Sequence, residues 1–220
     1  CSSDLNFESL WSKFSDSKFA VGVSNGLDGL ILALRALGIT SNHRVGVPGH
    51  TFIATWNAIL AVGAIPVGID VDEDGLLDLE ELGNFAPTLD AVIPVHMHGS
   101  TVDMKQLSVL CKKDKKDSTV KIIEDASQAH GWKTPNGKSL GKYSDAVVYS
   151  LYPTKNLGAL GDAGVITTNH ELIRDRLLSL RNYGSSSKDK YIHKELGFNN
   201  RLDPIQAAVL SKNLEFLDNW

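Results

Sequence analysis

Short apolar runs alternate with helical segments along nearly the whole chain, and this alternation limits the fold more than any other feature of the sequence. A helical pattern from Leu5 to Phe14 leads into a strand-like run, Phe19-Ala-Val-Gly-Val23. Further strands are expected at Arg44 to Val47, Ile65 to Ile69, Ala91 to Val95, Val120 to Ile123, Ala146 to Ser150 and Gly164 to Thr167. Helices fit between them at Phe52 to Val62, Met104 to Cys111 and Glu171 to Arg181. The segment Gly26 to Leu37 carries Leu30, Leu32, Leu34 and Leu37 with Ala33 and Ala36 among them, so it is apolar on nearly all sides, as a helix buried against a sheet is. The pattern predicts an α/β fold, a mainly parallel sheet covered on both faces. Such folds bind ligands at the C-terminal ends of their strands.

With 220 residues, 42% hydrophobic and 22% charged, the chain can bury one sizeable core. Its formal charge of -4 is spread over interspersed acids and bases, which excludes a nucleic-acid footprint. No apolar run approaches the roughly 20 residues of a membrane span, and no leader pattern opens the chain, so a soluble, cytoplasmic protein without a membrane partner is expected. Cys1 and Cys111 are the only cysteines, too few for a disulfide framework or a sulfur-ligated metal. The chain opens on Cys1, and its only methionines are Met97 and Met104, so a natural start removed or lying upstream is expected. The charged run Lys112 to Asp117 reads as a solvated connection, and the polar stretch Gly184 to Lys190 is too short to separate domains.

Three segments carry chemistry. Val120-Lys-Ile-Ile-Glu-Asp-Ala-Ser-Gln-Ala-His130 ends an apolar strand in two adjacent acids, which strand alternation points to opposite sides. Alone, this reads as a helix cap. Ser150-Leu-Tyr-Pro-Thr-Lys-Asn-Leu-Gly-Ala-Leu-Gly-Asp-Ala-Gly164 places a lysine after a strand and before Gly158, Gly161 and Gly164, which permit close backbone approach. A desolvated lysine there is a Schiff-base candidate. Val23-Ser-Asn-Gly-Leu-Asp-Gly29 enters a helix through a glycine turn, where free amides and the helix dipole suit an anion such as phosphate. Together they supply what pyridoxal phosphate requires: a lysine for its carbonyl, a carboxylate for its pyridinium proton and a helix end for its phosphate. His96, His98 and His130 lack a metal-ligand spacing and read as structural, and no metal is assigned. Tyr152 and Trp56 read as packing residues.

The chain resembles the DegT/DnrJ/StrS family of pyridoxal-phosphate sugar aminotransferases. The resemblance rests on seven stretches in order: SNGLDGLILALRALGI, VPGHTFIATWNAILAVGAIPV, VIPVHMHG, IIEDASQAHG, SLYPTKNLGALGDAG, LRNYG and LGFNNRLDPIQAAVL. It implies the large domain of the aspartate-aminotransferase fold (the type I pyridoxal-phosphate transferase), a three-layer αβα arrangement with a mainly parallel, mixed sheet over residues 1 to 220. By the same resemblance the N-terminal segment is incomplete, and the chain ends within a long helix, Leu202 to Leu217, before the family's small C-terminal domain.

The resemblance also implies roles. Lys155 bonds the cofactor, Asp125 pairs with the pyridine nitrogen and Gln128 contacts the phenolic oxygen. Phe52 covers one ring face; Ser150 and the amides of Gly26 and Leu27 hold the phosphate. Asn199 matches an asparagine reaching the phosphate of the neighbouring subunit, which implies a homodimer with shared sites. The implied reaction moves an amino group from L-glutamate to a nucleotide-linked keto-6-deoxy sugar, with C3 of a dTDP-linked sugar favoured by the GLDGL and HTFIATW wording. The alternatives are other pyridoxal-phosphate chemistry on a nucleotide sugar, such as the 3-dehydration of relatives with histidine in place of the lysine, and a non-catalytic or regulatory module. Lys155 argues against the dehydratase branch. One departure stands out: many members have Thr after the glycine of the phosphate turn, where this chain has Leu27.

Overall fold

The computed structural model of the chain describes residues 2–112, 119–133, 137, 139–185 and 191–220. Cys1, most of the charged run Lys112 to Asp117 and most of the stretch Gly184 to Lys190 lie outside the described residues. In chain order the elements are α1 (Ser2–Phe14), β1 (Phe19–Val23), α2 (Gly26–Ala36), β2 (Arg44–Pro48), α3 (Ile53–Ala61), β3 (Ile65–Ile69) and α4 (Leu79–Phe85). After them come β4 (Ala91–Val92), α5 (Met104–Leu110), β5 (Lys121–Asp125), β6 (Ala146–Ser150), β7 (Gly164–Thr168), α6 (Glu171–Leu180) and α7 (Pro204–Asn213).

The strands form a seven-stranded sheet in the order β1-β7-β6-β5-β4-β2-β3. β2 through β6 pair in parallel, whereas β7 runs antiparallel to both β6 and β1. Strand β7 is therefore the one reversed member, and its first residue, Gly164, lies opposite both Val23 and Ser150, the last residues of β1 and β6. That register brings the chemistry-bearing ends of β1, β5 and β6 to one sheet edge.

Alternation along the strands deals apolar side chains to both faces. On one face Leu30 and Leu34 of α2, Ile59 of α3 and Leu177 of α6 pack on Val45, Ile123 and Val148. On the other, Phe7 and Trp11 of α1 and Leu210 of α7 cover Val147 and Tyr149, while Leu82 of α4 and Leu107 of α5 cover Val92 and Ile122. This is the three-layer αβα arrangement with a mixed, mainly parallel sheet. Among the described residues no helix is long and apolar enough to cross a membrane.

Several bounds differ from the sequence expectations by a residue or more, and three departures have a clear local setting. The strand expected over Ala91 to Val95 pairs regularly only at Ala91 and Val92, because Pro94 has no N–H for the ladder; contact resumes where Pro94 O accepts from the Asp125 amide at 2.9 Å and His96 N donates to Asp125 O at 3.0 Å. Helix α4 was not expected. The helix expected over Leu202 to Leu217 is α-helical only from Pro204 to Asn213 and tightens into a 3₁₀ segment, Leu214–Asn219.

Candidate active site

One end of the cavity is built by the β1–α2 turn. Asn25, extended at φ −167° and ψ 178°, caps α2 through Oδ1, which accepts from the Asp28 amide at 2.8 Å. Asn25 Nδ2 returns a hydrogen bond to Asp28 Oδ2 at 2.8 Å, and Ser24 Oγ donates to the same oxygen at 2.5 Å. The Gly29 amide is taken by Asn25 O at 3.0 Å. The Gly26 and Leu27 amides, at the first helical positions, have no intrahelical acceptor, and both residues line a cavity of about 620 Å³. A Cβ on Gly26 would come within 2.9 Å of Ser150 Cβ, so only glycine lets the helix end rest against the end of β6. Leu27 packs its side chain against the core beside α2, so it offers the cavity its amide and no hydroxyl.

Across the same cavity, Asp125 ends β5 with only 5% of its surface exposed. Its Oδ1 accepts from Ser127 Oγ at 2.7 Å and Ser127 N at 3.2 Å, and its Oδ2 from Thr55 Oγ1 at 3.0 Å. Glu124 faces the other way, as alternation requires. Its carboxylate accepts from His96 Nε2 and the Gly141 amide, each at 2.9 Å, and from Ser144 Oγ at 2.5 Å. His96 Nδ1 accepts from the Val102 amide at 3.4 Å, so Nε2 carries the proton given to Glu124. Gln128 is oriented by its neighbours too. The His98 amide, on a residue held at φ +54°, donates to Gln128 Oε1 at 3.0 Å. Gln128 Nε2 donates to Met97 Sδ at 3.9 Å, which leaves the second amide proton for the cavity.

Lys155 follows β6 on a tight loop, its own amide bonded to Tyr152 O at 2.9 Å. The glycines after it do allow close approach, but the partner is the chain's own backbone. A Cβ on Gly158 would lie 2.5 Å from Pro153 O, and one on Gly164 would lie 2.6 Å from Asn25 O, whereas Gly161 has ordinary room. His130 donates from Nε2 to Ser150 O at 2.8 Å, fixing the strand end beneath the lysine. Burial, helped by the charge of Lys155, pulls its pKa down to about 4, so the imidazole is neutral.

Gly26, Leu27, Phe52 and Asp125 thus meet Gln128, Ser150 and Lys155 around one cavity. Phe52, the N-cap of α3, is 72% exposed and offers a bare ring face. Asn199 is not part of that lining; it is exposed and bridges to Asn182. Tyr152, expected to be a packing residue, is 49% exposed and lines the cavity; Trp56 does pack, donating Nε1 to Pro48 O at 3.1 Å. Sequence reading missed Thr51, Thr55 and Ser127. Their only signal was a hydroxyl two residues after the acid and a pair spaced i, i+4 at the start of α3.

A match to the DegT/DnrJ/EryC1/StrS aminotransferase family extends over residues 2–220, and the chain belongs to that family. It is 42% identical over 216 residues to the dTDP-3-amino-3,4,6-trideoxy-alpha-D-glucose transaminase of Streptomyces venezuelae, covering 97% of this chain and 55% of that protein. It is 42% identical over 218 residues to the dTDP-3-amino-3,6-dideoxy-alpha-D-galactopyranose transaminase of Aneurinibacillus thermoaerophilus, covering 97% of the chain and 58% of the relative. Among solved structures, S. venezuelae DesV in complex with a ketimine intermediate superimposes with a TM-score of 0.92 at 41% identity, over 99% of this chain and 57% of that one. The chain therefore spans little more than half the length of these relatives. The family is pyridoxal-phosphate-dependent, and the donor set here fits that cofactor. A buried carboxylate, an amine, an amide nitrogen and a helix end with free amides surround one cavity.

Proposed function

We propose that the full-length protein is a pyridoxal-phosphate aminotransferase that moves the amino group of L-glutamate to the keto carbon of a nucleotide-linked 6-deoxy sugar, at C3 of a dTDP-linked sugar. The convergence of Lys155 and Asp125 on one cavity carries the reading, and the dTDP-sugar transaminases among the relatives support the substrate class. In it, residues 1–220 are the large domain and a further C-terminal domain completes the substrate side, in keeping with the relatives' greater length.

The bound cofactor supplies an electron sink for the carbanion formed at the amino donor's Cα. Lys155 Nζ, the only side-chain amine lining the cavity among the described residues, would hold the cofactor by condensing with its aldehyde with loss of water, and would serve as the base that carries the proton from the donor's Cα. Asp125 would hold the proton on the ring nitrogen, and Ser150 with the Gly26 and Leu27 amides would hold the phosphate. Gln128 would offer its amide nitrogen to the phenolic oxygen, and Phe52 would cover the ring and exclude water. Asn199 serves the partner's site in a homodimer, which fits its absence from its own cavity and the bare apolar surface of Phe52, Ile53 and Leu60 along α3.

Borohydride reduction of the cofactor-loaded protein followed by peptide mapping tests the reading. Label on Lys155, together with 2-oxoglutarate release from L-glutamate when a dTDP-linked 3-keto sugar is supplied, is the expected result. Label on another lysine, such as Lys142, overturns the assignment. Failure to bind cofactor would favour a non-catalytic module.

A further inference from the structure

The hydroxyls around Asp125 form a chain whose direction is fixed by counting protons. An ionised carboxylate only accepts, so Thr55 spends its single hydroxyl proton on Asp125 Oδ2 at 3.0 Å. Thr55 Oγ1 must then accept from Thr51, whose Oγ1 lies 3.0 Å away. Thr55 is 1% exposed, and among the described residues its hydroxyl has Thr51 and Asp125 as its two partners, whereas Thr51 is only partly buried. The two residues lie at i and i+4 across the start of α3, and the chain spans the sheet edge to reach β5. Oδ1 already receives two donors and Oδ2 one, which leaves Oδ2 with the greater capacity for another proton.

We propose that Thr55, oriented by Thr51, is a positioning residue that holds the Asp125 carboxylate aimed at the ring nitrogen of the bound pyridine, so that the hydrogen bond between them stays formed. The proposal rests on pyridoxal phosphate occupying this cavity. The physical cause is that a donor fixed by its own partner holds a carboxylate oxygen in one orientation through a charge-assisted hydrogen bond. Without that donor the carboxylate is free to rotate away from the ring nitrogen.

The test uses the full-length protein loaded with pyridoxal phosphate labelled with ¹⁵N in the ring. Thr55→Val keeps the shape and removes the donor. It is expected to move the ring ¹⁵N resonance toward that of the unprotonated pyridine and to weaken cofactor binding about tenfold. Thr55→Ser restores both readouts, and Thr51→Val moves both in the same direction by less. A purely structural role would lower thermal stability without moving the ¹⁵N shift. An unchanged shift and affinity in Thr55→Val overturns the proposal while leaving the aminotransferase reading intact; if that variant does not fold, an unchanged shift in Thr51→Val overturns it instead. Wild-type protein that fails to fix the cofactor at Lys155 overturns the reading beneath it.

Discussion

At Asp125 three hydrogen bonds come from hydroxyls and an amide bordering the cavity, whereas those reaching Glu124 come from the opposite face of the sheet. The two acids therefore fail differently. Asp125→Asn keeps a polar group of the same shape but cannot hold the pyridinium proton, so it is expected to bind cofactor and lose roughly a hundredfold or more in transamination rate, read by single-turnover kinetics. Glu124→Gln turns an amide NH₂ toward donors that have no other acceptor, which costs about 1–3 kcal/mol of stability and lowers the urea midpoint without altering the bound cofactor's spectrum. His130 gives a pH signature. Its folded pKa of about 4 lies below the ordinary 6.5, so the unfolded chain binds the extra proton first as pH falls. Stability is full above pH 6.5 and declines by on the order of 3 kcal/mol between there and pH 4; His130→Gln, which does not titrate, flattens that part of the urea-unfolding profile against pH. That Lys155, Asp125 and the β1–α2 turn meet at one cavity agrees with the three segments singled out in the sequence, whereas which of the two adjacent acids serves the cavity came from the resemblance and not from residue type. Thr55 and Ser127 were not legible, since a hydroxyl acquires its role only from a partner 70 residues away or from the direction in which a turn points it.

Among the elements, those with a continuous apolar signature were legible nearly to the residue: β1, β3 and β6 span the expected runs, and α2 departs by one residue. What escaped depended on a single residue's hydrogen-bonding capacity. Pro94 cut β4 short, and α4, with Leu82 as its one fully buried side chain and Gly83 beside it, shows too little apolar periodicity to stand out. Its cue was chemical: Asp78 accepts from the amides of Glu80 and Glu81 at 2.7 and 3.0 Å. Helix α7 begins by the same device, with Pro204 at its first turn and Asp203 Oδ1 accepting from Ile205 N at 2.8 Å and Gln206 N at 3.4 Å. Its far end is tied to the lysine loop through Asn213 Nδ2, which donates to Gly158 O at 3.2 Å. Asp203→Ala is expected to cost about 1 kcal/mol in urea unfolding, with Asp203→Asn retaining most of it. Because α7 anchors that loop, the Ala variant should also speed amide hydrogen exchange between Gly158 and Gly161. Exchange unchanged there would mean that the loop holds its shape without the helix.

At the scale of the molecule, a single reversed strand at the β6–β7–β1 side of the sheet gathers the lysine loop, the phosphate turn and the acid of β5 at one edge, and a cavity opens there beside the bare face of α3. The alternation of strands and helices made the layers legible; the role expected of Asn199 came from the resemblance, and the residue lies outside its own chain's cavity. In the shared-site reading each cavity combines Lys155 of one protomer with Asn199 of its partner. Loss of one hydrogen bond to a charged phosphate costs about 1.5–3 kcal/mol, so Asn199→Ala should weaken cofactor binding roughly tenfold to hundredfold while leaving Lys155 reactive at saturating cofactor. Lys155→Ala abolishes covalent attachment outright. Mixing the two full-length variants in equal amounts and letting protomers exchange makes about half of the dimers hybrid, each with one site carrying both lesions and one carrying neither. About a quarter of all sites should then bind at wild-type affinity, visible as a tight phase in a fluorescence titration that neither variant shows alone. If Asn199 served only its own protomer, no mixture could contain an intact site, because each chain brings its own lesion; a titration equal to the average of the two variants would thus refute the shared pocket.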